Sequence, residues 1–318
     1  RRAWQVGPNR LQLQWHAADQ RLRVDCAPCW LQHPALSAHA VQVKRLGADV
    51  QRHGETLQGR WWMGLADQAV QGSWRATLSQ QDLRLHIALP ATPIAHAYAA
   101  LAAAMPEVGR ARIGGQFSLS ASVRLPEGRW QLQPELQAMQ VSGLGTEALR
   151  QLPTHPLPWQ HPLVRAVLAA EDQRFEQHPG FDVNEWQQVL SRAGSRDGGH
   201  DALRGASTIT QQLAKLIYTD GERSALRKLR ELLYAVEMEQ TLGKARILQL
   251  YLAHAPWGAV HATHGAVDGV ANAADAIVGA EAAARHYFGR PARQLTVAQS
   301  VWLAAMLNAP NRHARQWA

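Results

Sequence analysis

The strongest constraint on this chain's fold is a single change of hydrophobic period, which falls at Pro153-Thr154-His155-Pro156-Leu157-Pro158. Before it, apolar and polar residues alternate. Leu11, Leu13 and Trp15 interleave with Gln12 and Gln14, and Leu22, Val24 and Cys26 interleave with Arg21, Arg23 and Asp25. The same alternation returns at 76–89 and 117–125. A period of two sends every second side chain to one face, which is the pattern of sheets with one buried face. Gly114-Gly115 and Pro126-Glu127-Gly128 are the expected turns, and a short helix is expected around Pro93 to Met105.

Beyond the prolines the apolar residues recur at helical spacing. Leu163, Val167 and Leu168 form one stripe, and Trp186, Val189 and Leu190 a second. Others follow at Ile209, Leu213, Leu216 and Ile217, at Leu229, Leu232, Leu233 and Val236, and at Ile247, Leu248 and Leu252. Further helices are expected over 271–287 and 296–307. Strands followed by helices predict an α+β multidomain protein: a β-rich sheet domain over 1–150, a Pro-rich linker over 151–160, and a mostly α-helical domain over 161–318.

The 318 residues suffice for two domains with separate cores, and a composition 46% hydrophobic and 18% charged is globular. A net charge of +8 favours anionic partners: nucleic acid, lipid headgroups or phosphorylated substrates. No apolar run approaches the roughly 18 residues a spanning helix needs. The nearest, Ala95 to Met105, is short and alanine-rich. The chain opens at Arg1 rather than Met, so a signal or anchor upstream is an expectation. Cys26 and Cys29 stand in Cys-Ala-Pro-Cys, open to a redox pair, half a zinc site or a disulfide. A structural pair or disulfide is the expectation, because no second pair and no thioredoxin-like context accompany it.

Residues that could do chemistry collect in the second half; His and Asp residues of the first half are scattered singly. The segment Glu171-Asp172-Gln173-Arg174-Phe175-Glu176-Gln177-His178-Pro179-Gly180 follows an apolar helix. A carboxylate where a helix meets the core has its pKa raised by desolvation and can accept a proton near neutral pH. The competing reading of Glu171 is an ordinary ion pair with Arg174 at i+3. Next, Gly205-Ala206-Ser207-Thr208-Ile209-Thr210-Gln211-Gln212-Leu213-Ala214-Lys215 reads as a helix start capped by Ser207. The exposed amides of such a terminus suit an anion. The polar, glycine-bearing run 195–204 before it suits a flap over a cleft. Third, Arg223, Arg227, Lys228 and Arg230 crowd the start of a helix, where the macrodipole disfavours cations, and Glu231 follows. A solvated basic face is one explanation. A bound phosphate, matched to guanidinium and ammonium groups, is the other.

In this order and at this spacing, the three segments resemble the signature of the family 51 glycosyltransferases, the peptidoglycan polymerases. That family carries E-D-x-x-F-x-x-H-x-G, G-x-S-T-I-T-Q-Q-x-x-K and R-K-x-x-E, matched here at Glu171 to Gly180, Gly205 to Lys215 and Arg227 to Glu231. A fourth block, I-L-E-x-Y-L-N, matches Ile247 to Gly258 less closely, and the resemblance spans about residues 160 to 312. It implies a lysozyme-like glycosyltransferase fold. It also implies polymerisation of lipid II with a lipid-linked glycan as donor, at the periplasmic face of the bacterial inner membrane behind an N-terminal anchor absent from this chain.

By position Glu171 is then the base and Glu231 the second acid. Lys215, Arg227 and Lys228 hold the phosphates, while Ser207, Thr208, Gln211 and Gln212 line the cleft. Asp172, Phe175 and His178 support the first motif. No cofactor is required by the resemblance; some members use Mg²⁺ or Mn²⁺ at the pyrophosphate, but no ligand cluster here implies a metal. An envelope protein is the expected partner of residues 1–150. Nucleic acid is not expected, since the cations track the pyrophosphate motif. Gln249, Ala253 and Gln299 depart from the family's Glu, Asn and Glu, and 259–280 is longer than its loop. A lytic transglycosylase or a degenerate lysozyme-like scaffold are the alternative readings.

Overall fold

A computed structural model describes residues 2–6, 8–33, 36–79, 82–125, 129–183, 207–219, 224–259 and 276–308. The stripe at Trp186, Val189 and Leu190, the flap at 195–204, the turn at 126–128 and most of the 259–280 segment lie outside them. The chain forms two compact units. The first takes in Arg1–Leu144, Val183–Ala206 and Gly221–Arg230; the second takes in Gly145–Asp182, Ser207–Asp220 and Glu231–Ala318.

The first unit is built on an antiparallel sheet whose described strands number nine. In spatial order they are β1 (Arg2–Val6), β2 (Asn9–His16), β3 (Arg21–Cys26), β6 (Leu46–His53), β7 (Thr56–Met63), β8 (Val70–Leu78), β9 (Leu83–Pro93), β10 (Arg112–Leu125) and β11 (Arg129–Ser142). Between β3 and β6 the chain detours through a two-stranded ribbon, β4 (Cys29–Leu31) and β5 (Val41–Val43). At its entrance Cys26 and Cys29 form a disulfide, with their Cα atoms 5.2 Å apart. The alternating pattern puts polar residues in register across one face: Arg21 faces Gln51, Gln51 faces Gln58, Gln58 faces Arg75 and Arg75 faces His86. Leu22, Val50, Leu57, Ala76 and Leu85 occupy the other face.

Tryptophans settle across glycines on adjacent strands. Trp62 pairs with Gly47 and Trp61 with Gly72, and a Cβ at either glycine would stand about 2.6 Å from the indole. The missing side chain is what lets each ring lie flat on the neighbouring strand. Gly114-Gly115 is not a turn. It sits inside β10, where the register against β11 slips between Gly114 and Gln116, and Gly115 has φ +96°. The two glycines therefore make a β-bulge that continues the strand. Helix α1 (Ile94–Ala100) follows β9, with Ile94, Tyr98 and Ala100 buried.

The second unit is helical. Helix α2 (Pro162–Glu171) packs along α7 (Val297–Asn308), and α3 (Ile209–Tyr218) packs against α5 (Gly243–His254). Helix α4 (Ala225–Thr241) belongs to the first unit up to Arg230 and to the second from Glu231 onward. Helix α6 (Ala280–Phe288) is shorter than the 271–287 expected. Ala276–Val278 instead forms strand β13, paired with β12 (Pro256–Ala259). Gly279, with φ +89°, separates that strand from the helix. Leu163, Ile209, Leu213, Leu233, Ile247, Leu250 and Leu303 form the fully buried core.

The Pro-rich stretch is bound down within this unit. The Arg246 guanidinium on α5 donates to the carbonyls of Leu149, Arg150 and Leu152, and to the Thr154 hydroxyl at 3.0 Å. Five donors in a planar fork let one side chain fasten a segment that proline keeps out of regular structure.

Candidate functional site

Glu171 is the last residue of α2. The helix stops there because Asp172 takes φ −163°, although its N–H still reaches the Leu168 carbonyl at 3.0 Å. Turning the backbone at Asp172 aims that carboxylate at the next element. Asp172 Oδ2 accepts the Ile209 N–H at 2.9 Å, so it satisfies one of the free amides at the start of α3. The same carboxylate receives His178 Nε2 at 3.0 Å. His178 Nδ1 accepts the Gly180 N–H at 3.2 Å, which places the ring proton on Nε2 for donation to Asp172. Gly180 is needed where it stands: its φ is +93°, and a Cβ would meet the Ala235 carbonyl at 2.9 Å.

The start of α3 is capped by Thr208 rather than by the expected Ser207. Thr208 Oγ1 accepts the Gln211 N–H at 3.1 Å, and Gln211 Oε1 accepts the Thr208 N–H at 3.3 Å. This reciprocal capping box needs its Glu or Gln three residues after the cap, a spacing that Thr208 and Gln211 satisfy. The Thr208 hydroxyl also donates to the Gly180 carbonyl at 2.7 Å, tying the cap to the first motif's loop. Ser207 contributes its carbonyl, which accepts from Gln212 Nε2 at 3.2 Å.

Glu171 does not pair with Arg174, whose guanidinium bonds Asp182 at 2.9 Å. Its Oε2 accepts Gln212 Nε2 at 3.0 Å, while Oε1 is buried and bonded to nothing among the described residues. Burial pushes the Glu171 carboxyl above its ordinary range. The Gln212 hydrogen bond pulls it down, and the neighbouring Asp172 charge pushes it further up.

The structure thus brings Glu171, Asp172, His178, Ser207, Thr208, Gln211 and Gln212 into one bonded group. Phe175 is buried beneath it, 6.2 Å from the His178 ring and 6.3 Å from Trp159. Lys215 is exposed on α3. Glu231 is completely buried on α4. Arg227 and Lys228 lie on the part of α4 that belongs to the first unit, where the Ser224 hydroxyl accepts the Arg227 N–H at 3.1 Å. Beside them Arg230 grips the buried Glu107 at 2.7 Å, and the Tyr98 hydroxyl donates to the Leu229 carbonyl at 3.0 Å.

Three supporting residues were not singled out from the sequence. Lys244 donates to the His178 carbonyl at 2.7 Å and to Glu239 at 2.9 Å, and lies 4.4 Å from the Phe175 ring centre. Glu239 also accepts from the Thr210 hydroxyl at 2.6 Å. Tyr251 donates to Gln212 Oε1 at 3.0 Å. The signal was within reach only for Tyr251, which stands inside the fourth motif. The departure at Gln299 has a local reason: its side chain accepts the Thr296 N–H at 3.0 Å and its own N–H reaches Thr296 Oγ1. Glutamine serves as well as glutamate in a capping box. Nothing described explains Gln249 or Ala253.

Among the described residues no three His, Cys, Asp or Glu side chains gather as metal ligands. No described helix is long and apolar enough to cross a membrane. The sheet of the first unit carries a concavity of about 610 Å³, lined in part by Arg21, Asp49, Arg60, Arg75 and His86.

Comparison with known proteins identifies the family of the second half of the chain. Over 149 residues the chain is 45% identical to a biosynthetic peptidoglycan transglycosylase of Alcanivorax borkumensis, covering 47% of this chain and 53% of that protein. It is 44% identical over 148 residues to the same-named protein of Ralstonia nicotianae, covering 46% and 55%, and 42% identical over 152 residues to that of Bordetella avium, covering 46% and 55%. The chain therefore spans about half the length of these relatives. The transglycosylase family profile matches residues 144–317, which take in every one of the bonded site residues, and the chain belongs to that family.

Proposed function

We propose that this protein polymerises peptidoglycan glycan from lipid II, with Glu171 as the general base. The observation that supports this most is the state of Glu171: one carboxylate oxygen held by Gln212, the other unbonded among the described residues, and a proton affinity raised by burial. An oxygen in that condition suits an incoming hydroxyl. The acceptor's 4-hydroxyl passes its proton to Glu171 Oε1 as its oxygen attacks the donor's anomeric carbon. The bond from that carbon to the pyrophosphate breaks on the opposite face, and its electron pair leaves with undecaprenyl pyrophosphate. One in-line displacement converts the α linkage to β-1,4.

Developing charge on the leaving group calls for cations. Lys215, Arg227 and Lys228 are assigned that role by their motif positions, and Glu231 that of the second acid. The setting is the outer face of the inner membrane, with an anchor preceding this chain and an envelope protein bound by the first unit. The relatives' name, biosynthetic peptidoglycan transglycosylase, favours synthesis over cleavage.

A raised carboxyl can also serve as a general acid, so lytic cleavage is the second reading, and product analysis separates the two. The full chain given lipid II is expected to make glycan polymer, and Glu171→Gln to make none. Polymer formed at the wild-type rate by Glu171→Gln would remove Glu171 from the mechanism. Anhydro-muropeptides released from sacculi would replace synthesis by lysis, and neither product would leave a scaffold.

A further inference from the structure

The amide that holds Glu171 has every polar atom committed. Gln212 Nε2 donates to Glu171 Oε2 at 3.0 Å and to the Ser207 carbonyl at 3.2 Å, and Gln212 Oε1 receives the Tyr251 hydroxyl at 3.0 Å. A backbone carbonyl cannot donate, and neither can an ionised carboxylate, so the nitrogen end of the amide must face Ser207 and Glu171. The oxygen end then requires a donor. Tyr251 is in place for this, with a side chain almost entirely buried on α5.

We propose that Tyr251 is a positioning residue, which locks the Gln212 amide with its nitrogen toward Glu171 and so holds the base ionised with Oε1 free for the acceptor. This rests on the reading of Glu171 as the base. The reversed amide would set Oε1 against the Ser207 carbonyl and the Glu171 carboxylate, an arrangement tolerated only once Glu171 is protonated. The Tyr251 bond therefore opposes the inactive, protonated form. Burial, with the Glu171 and Asp172 charges beside it, pushes the Tyr251 phenol far above its ordinary range, so it remains a donor at any working pH.

On α2 the charged side chain besides Glu171 is Arg165, which is exposed, and His178 from the loop that follows donates to Asp172. Asp172, directly after the last residue of α2, raises the Glu171 carboxyl. On α3 the cation is Lys215, three residues beyond Gln212. On α5, Lys244 is bound to Glu239, Arg246 is bound to the 149–154 segment, and His254 closes the helix. On α4, Glu237 accepts the Thr146 N–H, and Glu231 is buried. Helix α7, which packs along α2, carries no charged side chain.

The test is the pH–rate profile of lipid II polymerisation by the full chain. Tyr251→Phe is expected to move the acidic limb upward by about one pH unit, the scale of one hydrogen bond to a charged group, with the rate recovering as pH rises. Gln212→Ala is expected to move the same limb in the same direction. Adding Tyr251→Phe to Gln212→Ala should then move it no further, because the tyrosine acts through the amide. A rate lowered by one factor at every pH, or an additive shift in the double variant, would overturn the proposal. A second measurement needs no turnover: the Glu171 carboxyl is titrated by infrared difference between the full chain and Glu171→Gln. A carboxyl unmoved by Tyr251→Phe sinks the proposal whether or not the chain polymerises. A carboxyl that moves in a chain making no polymer upholds the relay and defeats the polymerase reading alone.

Discussion

Glu171 meets two demands that pull against each other. To accept a proton it must be partly desolvated, and a desolvated ionised carboxylate costs the fold stability. Its folded-state pKa is raised, so its contribution to stability is greatest below the unfolded pKa and is lost as pH rises through the folded one. Glu171→Gln is therefore expected to raise Tm by a few degrees at about pH 8 and to leave it unchanged at about pH 4, where the wild-type carboxyl is protonated. A lower Tm at the higher pH would show that the carboxylate is not under this strain. Asp172 is the opposite case. It is buried and accepts from both the Ile209 N–H and His178, so Asp172→Ala leaves two buried donors without partners. A loss of about 3 kcal/mol in denaturant unfolding is expected.

At the scale of elements, the start of α3 carries the site because one residue does two jobs. Thr208 closes the capping box with Gln211 and ties it to the Gly180 carbonyl. Thr208→Ala should cost about 1–2 kcal/mol, whereas Thr208→Ser, which keeps both bonds, should cost less than half of that. Comparable losses from the two would mean that the methyl group matters more than the hydroxyl. The Ser207 cap expected from the sequence fails by one residue. Both residues can cap, and only the Gln211 partner three positions on distinguishes them. The glycine pair in β10 departs from the expected turn for a related reason: Gly-Gly marks a turn or a bulge with equal ease, and pairing with β11 on both sides of it selects the bulge. The Cys26–Cys29 disulfide closes a very short loop and removes little entropy from the unfolded chain. Its reduction should lower stability by about 2 kcal/mol at most.

For the whole molecule, the net charge favours anionic partners. Lysine and arginine exceed aspartate and glutamate by 33 to 25, the basis of the +8 net charge. The full chain is expected to bind vesicles containing anionic lipid and to release them as salt approaches about 0.5 M, where the Debye length has shrunk to a few ångströms. Binding indifferent to salt would assign the attraction to apolar contact instead. What the sequence determined by itself was whatever depends on neighbours along the chain. The period-two strands and the helical stripes at 163–168, 209–217, 229–236 and 247–252 were legible, because side-chain direction repeats with the local backbone. Only the tertiary structure decided which partner each polar atom took. Glu171 and Arg174 are three residues apart, as an ion pair on a helix would require, yet α2 ends at Glu171. Arg174 turns to Asp182, and Glu171 receives an amide from Gln212 that Tyr251, far along the chain on another helix, holds in place. Helices that are distant in sequence set the state of the carboxylate, because a buried oxygen is governed by the donors packed around it in space.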